Sequence, residues 1–190
     1  MGFSILDFRF LPFVSQGRAR LLPSPLLRHR GMRIRDDGMN DHDDHWMNEA
    51  LAEARLALEH DDVPIGAVAV HEGRVVGRGH NERELRQDPT AHAEVLALQA
   101  ASRSLGTWYL TGVTLFVTLE PCAMCAGAIV LARVARVVWA ADDPKAGAAG
   151  SVLNVLAEPG LNHHPEITRG VGKAEAAALL KAFFEKLREG

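Results

Sequence analysis

Two short stretches of the chain carry side chains that commonly bind metal ions or transfer protons. Cys122 and Cys125, the only two cysteines among 190 residues, stand three positions apart directly after Pro121. Thirty residues upstream of Cys122, His92 and Glu94 form a His-x-Glu pair. One imidazole and two thiolates are ligands that zinc prefers, and catalytic zinc usually keeps a fourth position for water. The spacing therefore predicts a zinc site with one open position.

Other interpretations of these residues deserve comparison. A lone Cys-x-x-Cys is also typical of redox pairs or of half a structural zinc site, but the sequence has no second cysteine pair to complete a four-cysteine cage. A lone histidine is more often a surface or core residue than a ligand. The combination of His-x-Glu with Pro-Cys-x-x-Cys is much rarer than its parts, and it is the signature of zinc-dependent nucleobase deaminases. We therefore favour a catalytic zinc held by His92, Cys122 and Cys125.

Glu94 is the predicted proton carrier of this site. Bound zinc lowers the pKa of water from 15.7 toward about 7, which makes hydroxide available at neutral pH. A carboxylate two residues beyond the histidine ligand could take a proton from that water, pass it to a ring nitrogen of the base, and then protonate the leaving ammonia. This is the established chemistry of the class, in which the glutamate is not itself a zinc ligand.

Both stretches are predicted to lie where a loop meets the start of a helix. Thr90 is a plausible N-cap for a helix that ends near Leu105, and Pro121 is typical of a first helical position. Unpaired backbone N–H groups and the helix dipole favour thiolate over thiol at such a position. The local sequence thus places the cysteines where deprotonation is easiest.

The order of predicted elements indicates an α/β fold. Helices follow the second and third predicted strands, and such crossovers favour parallel neighbours in a three-layer α/β/α sandwich. The first two strands, separated by Glu72-Gly73, form a predicted hairpin, so the five-stranded sheet is mixed. The predicted elements are a helix at 42–60, strands at 65–70 and 74–79, a loop at 80–90, a helix at 90–105, a strand at 113–119, a helix from 121, a strand at 134–140, a loop at 142–150, a short helix at 151–156, a strand at 166–171 and a helix at 173–189.

Bulk properties are those of a single globular domain at residues 41–190 preceded by a basic extension at 1–40. Apolar residues make up 47% and charged residues 24% of the chain, and no apolar run approaches the roughly 20 residues of a membrane span. Residues 1–40 carry seven arginines against three aspartates, a net charge of +4, so the overall −3 leaves −7 for the body. The extension fits a disordered segment, a mis-assigned start, an RNA-binding arm or an organelle-targeting segment.

Residues 43–189 resemble the tRNA-specific adenosine deaminases, which convert adenosine to inosine at the wobble position of the anticodon. Segments 63–67, 79–81, 88–94, 120–129, 143–151 and 183–184 carry the resemblance. It implies a cytidine deaminase-like fold, one Zn²⁺ per subunit, a homodimer, a tRNA anticodon stem-loop as substrate, no membrane association and a cytoplasmic location. Two alternatives stay open: a deaminase of free guanine or cytosine compounds, and a catalytically silent zinc scaffold that binds RNA.

The same resemblance implies a set of substrate-binding residues. Asn81 is expected to touch the flipped nucleoside, and Val63 to form part of the wall of the base pocket. The loop that begins at Asp143 is expected to meet the anticodon backbone, and the two phenylalanines of the last helix to pack near the bound loop. The complete set of expected substrate-binding residues is Val63, Asn81, Ala93, Asp143, Lys145, Phe183 and Phe184.

Overall fold

The computed structural model describes residues 34–35 and 41–189 of the chain. The helices in this part are α1 (Asp41–Leu56), α2 (Arg83–Arg86), α3 (Ala93–Leu105), α4 (Ala123–Leu131) and α5 (Lys173–Glu189), with 3-10 turns at Ala57–His60 and Val155–Ala157. The strands are β1 (Ile34–Arg35), β2 (Gly66–His71), β3 (Arg74–His80), β4 (Thr114–Leu119), β5 (Arg136–Ala141) and β6 (Glu166–Arg169). None of the helices described is long and apolar enough to cross a membrane.

The strands form one mixed sheet in the order β1-β6-β5-β4-β2-β3. β2 is antiparallel to both β3 and β4, whereas β4, β5, β6 and β1 pair in parallel. The predicted hairpin and the five predicted strands of the mixed sheet are confirmed, and β1 adds a sixth strand at one edge. β3 and β4 run in the same direction, but β2 lies between them, so α3 crosses over one strand. The expected parallel neighbours therefore occur from β4 onward and not between β3 and β4.

Alternating side chains of the strands face two helical layers, as the period-2 geometry of a strand requires. One face of the sheet packs with α1 and α5, and the other with α3 and α4, which confirms the three-layer α/β/α sandwich. The first face buries Met47, Leu51, Val68, Phe116, Val138 and Ala176. The second buries Ala67, Leu98, Leu115, Val117, Ile129 and Val137.

α3 lies unusually close to the end of β3 because that strand carries glycine where the helix crosses it. A Cβ atom on Gly79 would lie 2.5 Å from the carbonyl oxygen of Ala93 and 2.7 Å from the amide nitrogen of Ala97. No larger residue fits there without a shift of helix backbone. This contact sets the position of the first turn of α3, which follows His92.

The structure differs from the sequence-based expectations at several points. α3 begins at Ala93 with His92 as its N-cap instead of Thr90, and α4 begins at Ala123, two residues after Pro121. Ile34–Arg35 extends the sheet beyond β6, pairing Ile34 with Ile167; every other expectation for residues 1–40 lies outside the described residues. The predicted loop at 80–90 contains the short helix α2. The backbone amides of Glu84 and Leu85 in this helix donate to the Asp62 carboxylate at 2.9 and 3.1 Å. The short helix expected at 151–156 is only a 3-10 turn at Val155–Ala157.

Candidate active site

Two of the predicted metal ligands directly precede helices at the same end of the structure. His92 is the N-cap residue of α3 and Cys122 that of α4, and both have extended backbone conformations. Cys125 lies in the first turn of α4 and is buried. The backbone N–H of Cys125, in the first turn of α4, therefore interacts with the Cys122 sulfur, and a helix start favours thiolate there.

The donor atoms of these three residues converge. The Nδ1 atom of His92 lies 3.7 Å from the Sγ atom of Cys122 and 3.5 Å from that of Cys125, and all three lie within 4.8 Å of one another. Zinc–sulfur bonds of about 2.3 Å and a zinc–nitrogen bond of about 2.0–2.1 Å in tetrahedral geometry separate sulfur from nitrogen by about 3.6 Å. The side chains thus already have the spacing of zinc ligands. In the described part of the chain, no other group of three or more His, Cys, Asp or Glu side chains converges in this way.

Electrostatic coupling among the three side chains favours anionic sulfur at this centre. The pKa of Cys122 is lowered to about 3, mainly because its sulfur accepts a hydrogen bond from the Cys125 thiol and also interacts with His92. The pKa of Cys125 is raised, because its thiol donates that bond and because it is buried. The pKa of His92 is raised by its hydrogen bond to Cys122. These directions favour a thiolate at Cys122, the form of cysteine that binds metal ions.

Glu94 lies in the first turn of α3, beside this centre but outside the group of converging donors. Its side chain is only 4% exposed, and burial raises the pKa of its carboxyl to about 6. A carboxyl group with such a pKa exchanges protons readily near neutral pH, which is what a general acid–base residue requires.

A cavity of about 450 Å³ opens onto the zinc-type centre. Its volume is in the range of small-molecule sites and suits a nucleoside. The floor contains His92, Glu94 and Cys122. Among the substrate-binding residues expected from the sequence, those that line the cavity are Val63, Asn81, Ala93, Asp143, Lys145 and Phe184.

The two phenylalanines of α5 occupy different positions. Phe184 is 45% exposed and lines the cavity, whereas Phe183 is 8% exposed and lines a neighbouring concavity of about 270 Å³. Their rings contact each other edge to face with centroids 5.4 Å apart. Both phenylalanines were expected to pack near the bound anticodon loop, but only Phe184 lines the main cavity.

Asn81 presents an unpartnered acceptor inside the cavity. The side chain is 4% exposed, and its Nδ2 atom donates to the carbonyl oxygen of Val63 at 3.3 Å. Its Oδ1 atom is buried and has no hydrogen-bond partner among the described residues. Because buried polar atoms are nearly always paired, this oxygen is suited to accept a hydrogen bond from a ligand.

Sequence reasoning missed two acidic residues of the cavity wall. Glu120 is 3% exposed, and its carboxylate accepts hydrogen bonds from the loop at 143–151. Asp142 accepts from the indole Nε1 of Trp139 at 3.2 Å and from the Nζ of Lys173 at 2.8 Å, and the Lys173 ammonium holds its pKa below the ordinary value. A charged residue between a buried strand and Pro121 was the available signal for Glu120; no sequence pattern indicates the partners of Asp142.

Comparisons with known proteins agree with this geometry. The MafB19-like deaminase family matches residues 40–188. A tRNA-specific adenosine deaminase of Bacillus subtilis is 50% identical over 147 residues, which cover 77% of this chain and 91% of that protein. A solved structure from a study of A-to-I editing by tRNA:A34 deaminases at the wobble position of transfer RNA is 46% identical, with a TM-score of 0.70 and coverage of 72% of this chain and 99% of the other.

A guanine deaminase shares the fold at lower similarity. The X-ray structure of the Bacillus subtilis guanine deaminase is 32% identical, with a TM-score of 0.52 and coverage of 67% of this chain and 83% of that protein. The similarity to the tRNA-directed enzymes is thus higher in both identity and structural overlap.

Proposed function

The chain belongs to the family of tRNA-specific adenosine deaminases, and we propose that it hydrolyses the wobble adenosine of a tRNA anticodon to inosine with His92, Cys122, Cys125 and Glu94 as its reactive centre. The observation that carries the proposal is the convergence of one imidazole and two thiols beside a buried carboxyl at the floor of a nucleoside-sized cavity. We also propose a cytoplasmic location, which the similarity to bacterial tRNA-specific adenosine deaminases supports.

His92, Cys122 and Cys125 are assigned as the ligands of one zinc ion per subunit. A zinc ion held by these residues would supply a water molecule with a pKa lowered toward about 7, which is the nucleophile that the hydrolysis needs. The donor set is complete for a catalytic site, because three protein ligands leave one position open. The thiolate already favoured at Cys122 assists metal binding at neutral pH.

Glu94 moves the protons of the reaction. Its carboxylate takes a proton from the attacking water and delivers it to a ring nitrogen of adenine, and it then takes the proton of the hydroxyl group newly bonded to the ring carbon and delivers it to the amino group, which leaves as ammonia. Burial suits it to both tasks, because a pKa of about 6 keeps the protonated and ionised forms close in free energy at pH 7. Asn81 orients the base by accepting a hydrogen bond at its unpartnered Oδ1, while Val63 and Ala93 provide apolar walls.

The rim of the cavity is assigned to the RNA strand. A target base must leave its stack to reach such a site, and loop nucleotides do so readily. Arg83 and Lys145 are exposed, line the cavity and provide positive charge for phosphates. Asp143 begins the loop that carries Lys145, and Phe184 offers an exposed ring for stacking, with Phe183 packed behind it.

A homodimer is proposed to form through the α3/α4 layer. An apolar concavity of about 590 Å³ lies between α3 and α4 and is lined by side chains that include Trp108, Tyr109 and Leu131. Trp108 is 65% exposed and Leu131 is 75% exposed. A contiguous exposed apolar surface of this kind is typical of a protein interface. Leu131→Glu is expected to give monomers by light scattering, whereas Val152→Glu, at a residue 53% exposed elsewhere, leaves the dimer intact.

The substrate assignment is tested with four substrates in parallel. The purified protein is incubated with an anticodon stem-loop that has adenosine at the wobble position, with the same stem-loop carrying guanosine there, with free adenosine and with free guanine. We expect inosine only in the first. Rapid ammonia release from free guanine would instead assign the chain to free-base deamination. A protein that is dimeric and zinc-loaded but inert toward all four would support the scaffold alternative.

A further inference from the structure

Glu120 has a buried carboxylate that, among the described residues, accepts hydrogen bonds from a single loop, residues 143–151. Its Oε1 atom accepts from the amides of Ala149 and Ser151, each at 3.0 Å. Its Oε2 atom accepts from the Asp143 amide at 3.0 Å and from the hydroxyl of Ser151. With 3% exposure, the side chain is the centre around which residues 143–151 are folded.

The loop approaches this carboxylate too closely for any side chain at its middle. A Cβ on Gly147 would lie 2.4 Å from Oε2 of Glu120 and 2.6 Å from the carbonyl oxygen of Asp143. Next to it, the Ala148 amide donates to the carbonyl oxygen of Pro121 at 2.8 Å. The loop is thus attached both to the Glu120 side chain and to the backbone just before Cys122.

The same loop forms one wall of the substrate cavity. Asp143, Pro144, Lys145 and Ala146 all line it. Within the loop, the Asp143 carboxylate accepts from the amides of Lys145 and Ala146 at 2.9 and 3.2 Å. The direct bond from the Asp143 amide to Glu120 therefore anchors the turn that presents these residues to the cavity.

We propose that Glu120 is a positioning residue for substrate binding, which holds the 143–151 loop in the conformation that contacts the RNA strand. The inference rests on the proposed function for the identity of the substrate. Within the described part of the chain, Glu120 forms no hydrogen bond to the three converging donors or to Glu94, and it acts through the loop. Its loss should therefore weaken binding of the stem-loop and leave the hydrolytic step and metal binding intact.

Glu120→Gln is the decisive variant because it preserves shape and removes acceptors. A glutamine has one acceptor oxygen, which can keep the two amide bonds now made by Oε1. Its NH₂ group then faces the Asp143 amide, donor against donor, whereas the Ser151 hydroxyl can rotate to accept. We expect the KM for the stem-loop to rise about tenfold, equivalent to about 1.4 kcal/mol. The kcat should stay within about twofold of wild type, as for lost uniform binding.

A matched control and a second variant complete the experiment. Glu158→Gln makes the same chemical change at an exposed glutamate that does not line the cavity. Its carboxylate accepts a hydrogen bond from the nearby Gly160 amide, and the variant should leave KM unchanged. Ser151→Ala deletes one bond to Glu120, so KM should rise about twofold to threefold. The double variant Glu120→Gln/Ser151→Ala should raise KM by less than the product of the single effects, because both act on the same contact.

Zinc content and thermal unfolding are measured for every variant. A KM for Glu120→Gln no higher than that for Glu158→Gln overturns the proposal. A fall in kcat and zinc content at unchanged KM also overturns it, since that result would make Glu120 a support of the cysteine motif. If Glu120→Gln does not fold, Ser151→Ala decides the matter by the same KM criterion. Inosine formation by the wild type tests the proposed function separately.

Discussion

Replacing Gly79 with alanine tests whether the position of α3 depends on the close contact of this helix with β3. The new methyl carbon would lie 2.5 Å from the Ala93 carbonyl oxygen, 2.7 Å from the Ala97 amide nitrogen and 2.8 Å from the Cβ of Leu96. Optimal contacts between such atoms require about 3.5 Å, so the first turn of α3 must retreat by about 1 Å. Two of the three obstructing atoms belong to backbone, so a rotamer change cannot relieve the clash.

That retreat moves His92 and Glu94, because one immediately precedes α3 and the other lies in its first turn. A misplacement of about 1 Å costs on the order of 100-fold in rate. Overpacking should lower the free energy of unfolding by about 1–3 kcal/mol. At about 2–4 °C per kcal/mol for a chain of this size, Tm should fall by about 2–12 °C.

The assay compares kcat for inosine formation in the anticodon stem-loop, well below Tm and at equal zinc content. Gly77→Ala is the matched control, since its Cβ would lie 2.2 Å from the Ala97 carbonyl oxygen, one turn farther from His92. It should destabilise the fold comparably with a smaller fall in kcat. Gly127→Ala meets nothing within 4 Å and should be stable and active. A wild-type kcat for Gly79→Ala, or an equal fall in kcat for Gly77→Ala, would contradict the claim that the contact at Gly79 positions His92 and Glu94.

Three other changes test the centre and the fold around it. Glu94→Gln should retain zinc and lose at least about 100-fold in kcat, because proton transfer is removed; near-normal inosine formation in this variant would exclude the assigned role. Cys125→Ser should weaken zinc binding by more than about 100-fold, the upper effect of losing an outer-shell partner, as measured by competition with a chelator; unchanged affinity would contradict the ligand assignment. In wild type, the Asp43 carboxylate accepts two hydrogen bonds from the half-buried Arg136 guanidinium, at 2.9 and 2.6 Å. Asp43→Ala removes this partner, so urea unfolding should show a free energy of unfolding lower by about 3 kcal/mol, with unchanged kcat. A decrease below about 1 kcal/mol would show that this ion pair contributes little to stability.

The proposed donor set and the elements that carry it could be predicted from the amino-acid sequence. His92, Glu94, Cys122 and Cys125 were identifiable because their side-chain types are rare in combination and their spacing is local to two helix starts. Strand and helix patterns were equally readable, because apolar periods of 2 and 3.6 reflect burial of one face. The mixed sheet and the three layers followed from the order of those elements.

The residues that form the wall of the cavity could be identified only from the folded structure. Glu120 and its partner Ser151 are 31 residues apart, and Asp142 and Lys173 are also 31 residues apart. No periodic signal links such pairs, because their contact depends on how separately folded segments meet. The insertion of β2 between β3 and β4 was hidden for the same reason.

The two phenylalanines and Asn81 show the same difference between what sequence patterns predict and what only the folded structure reveals. The sequence places Phe183 and Phe184 side by side, but helical rotation turns one into the packed interior and the other toward the cavity. The resemblance predicts that Asn81 binds substrate, but only the folded structure shows that its Oδ1 atom is buried without a hydrogen-bond partner among the described residues. Local patterns specify which groups can react; long-range packing specifies which of them face the substrate, because burial is a property of the assembled chain.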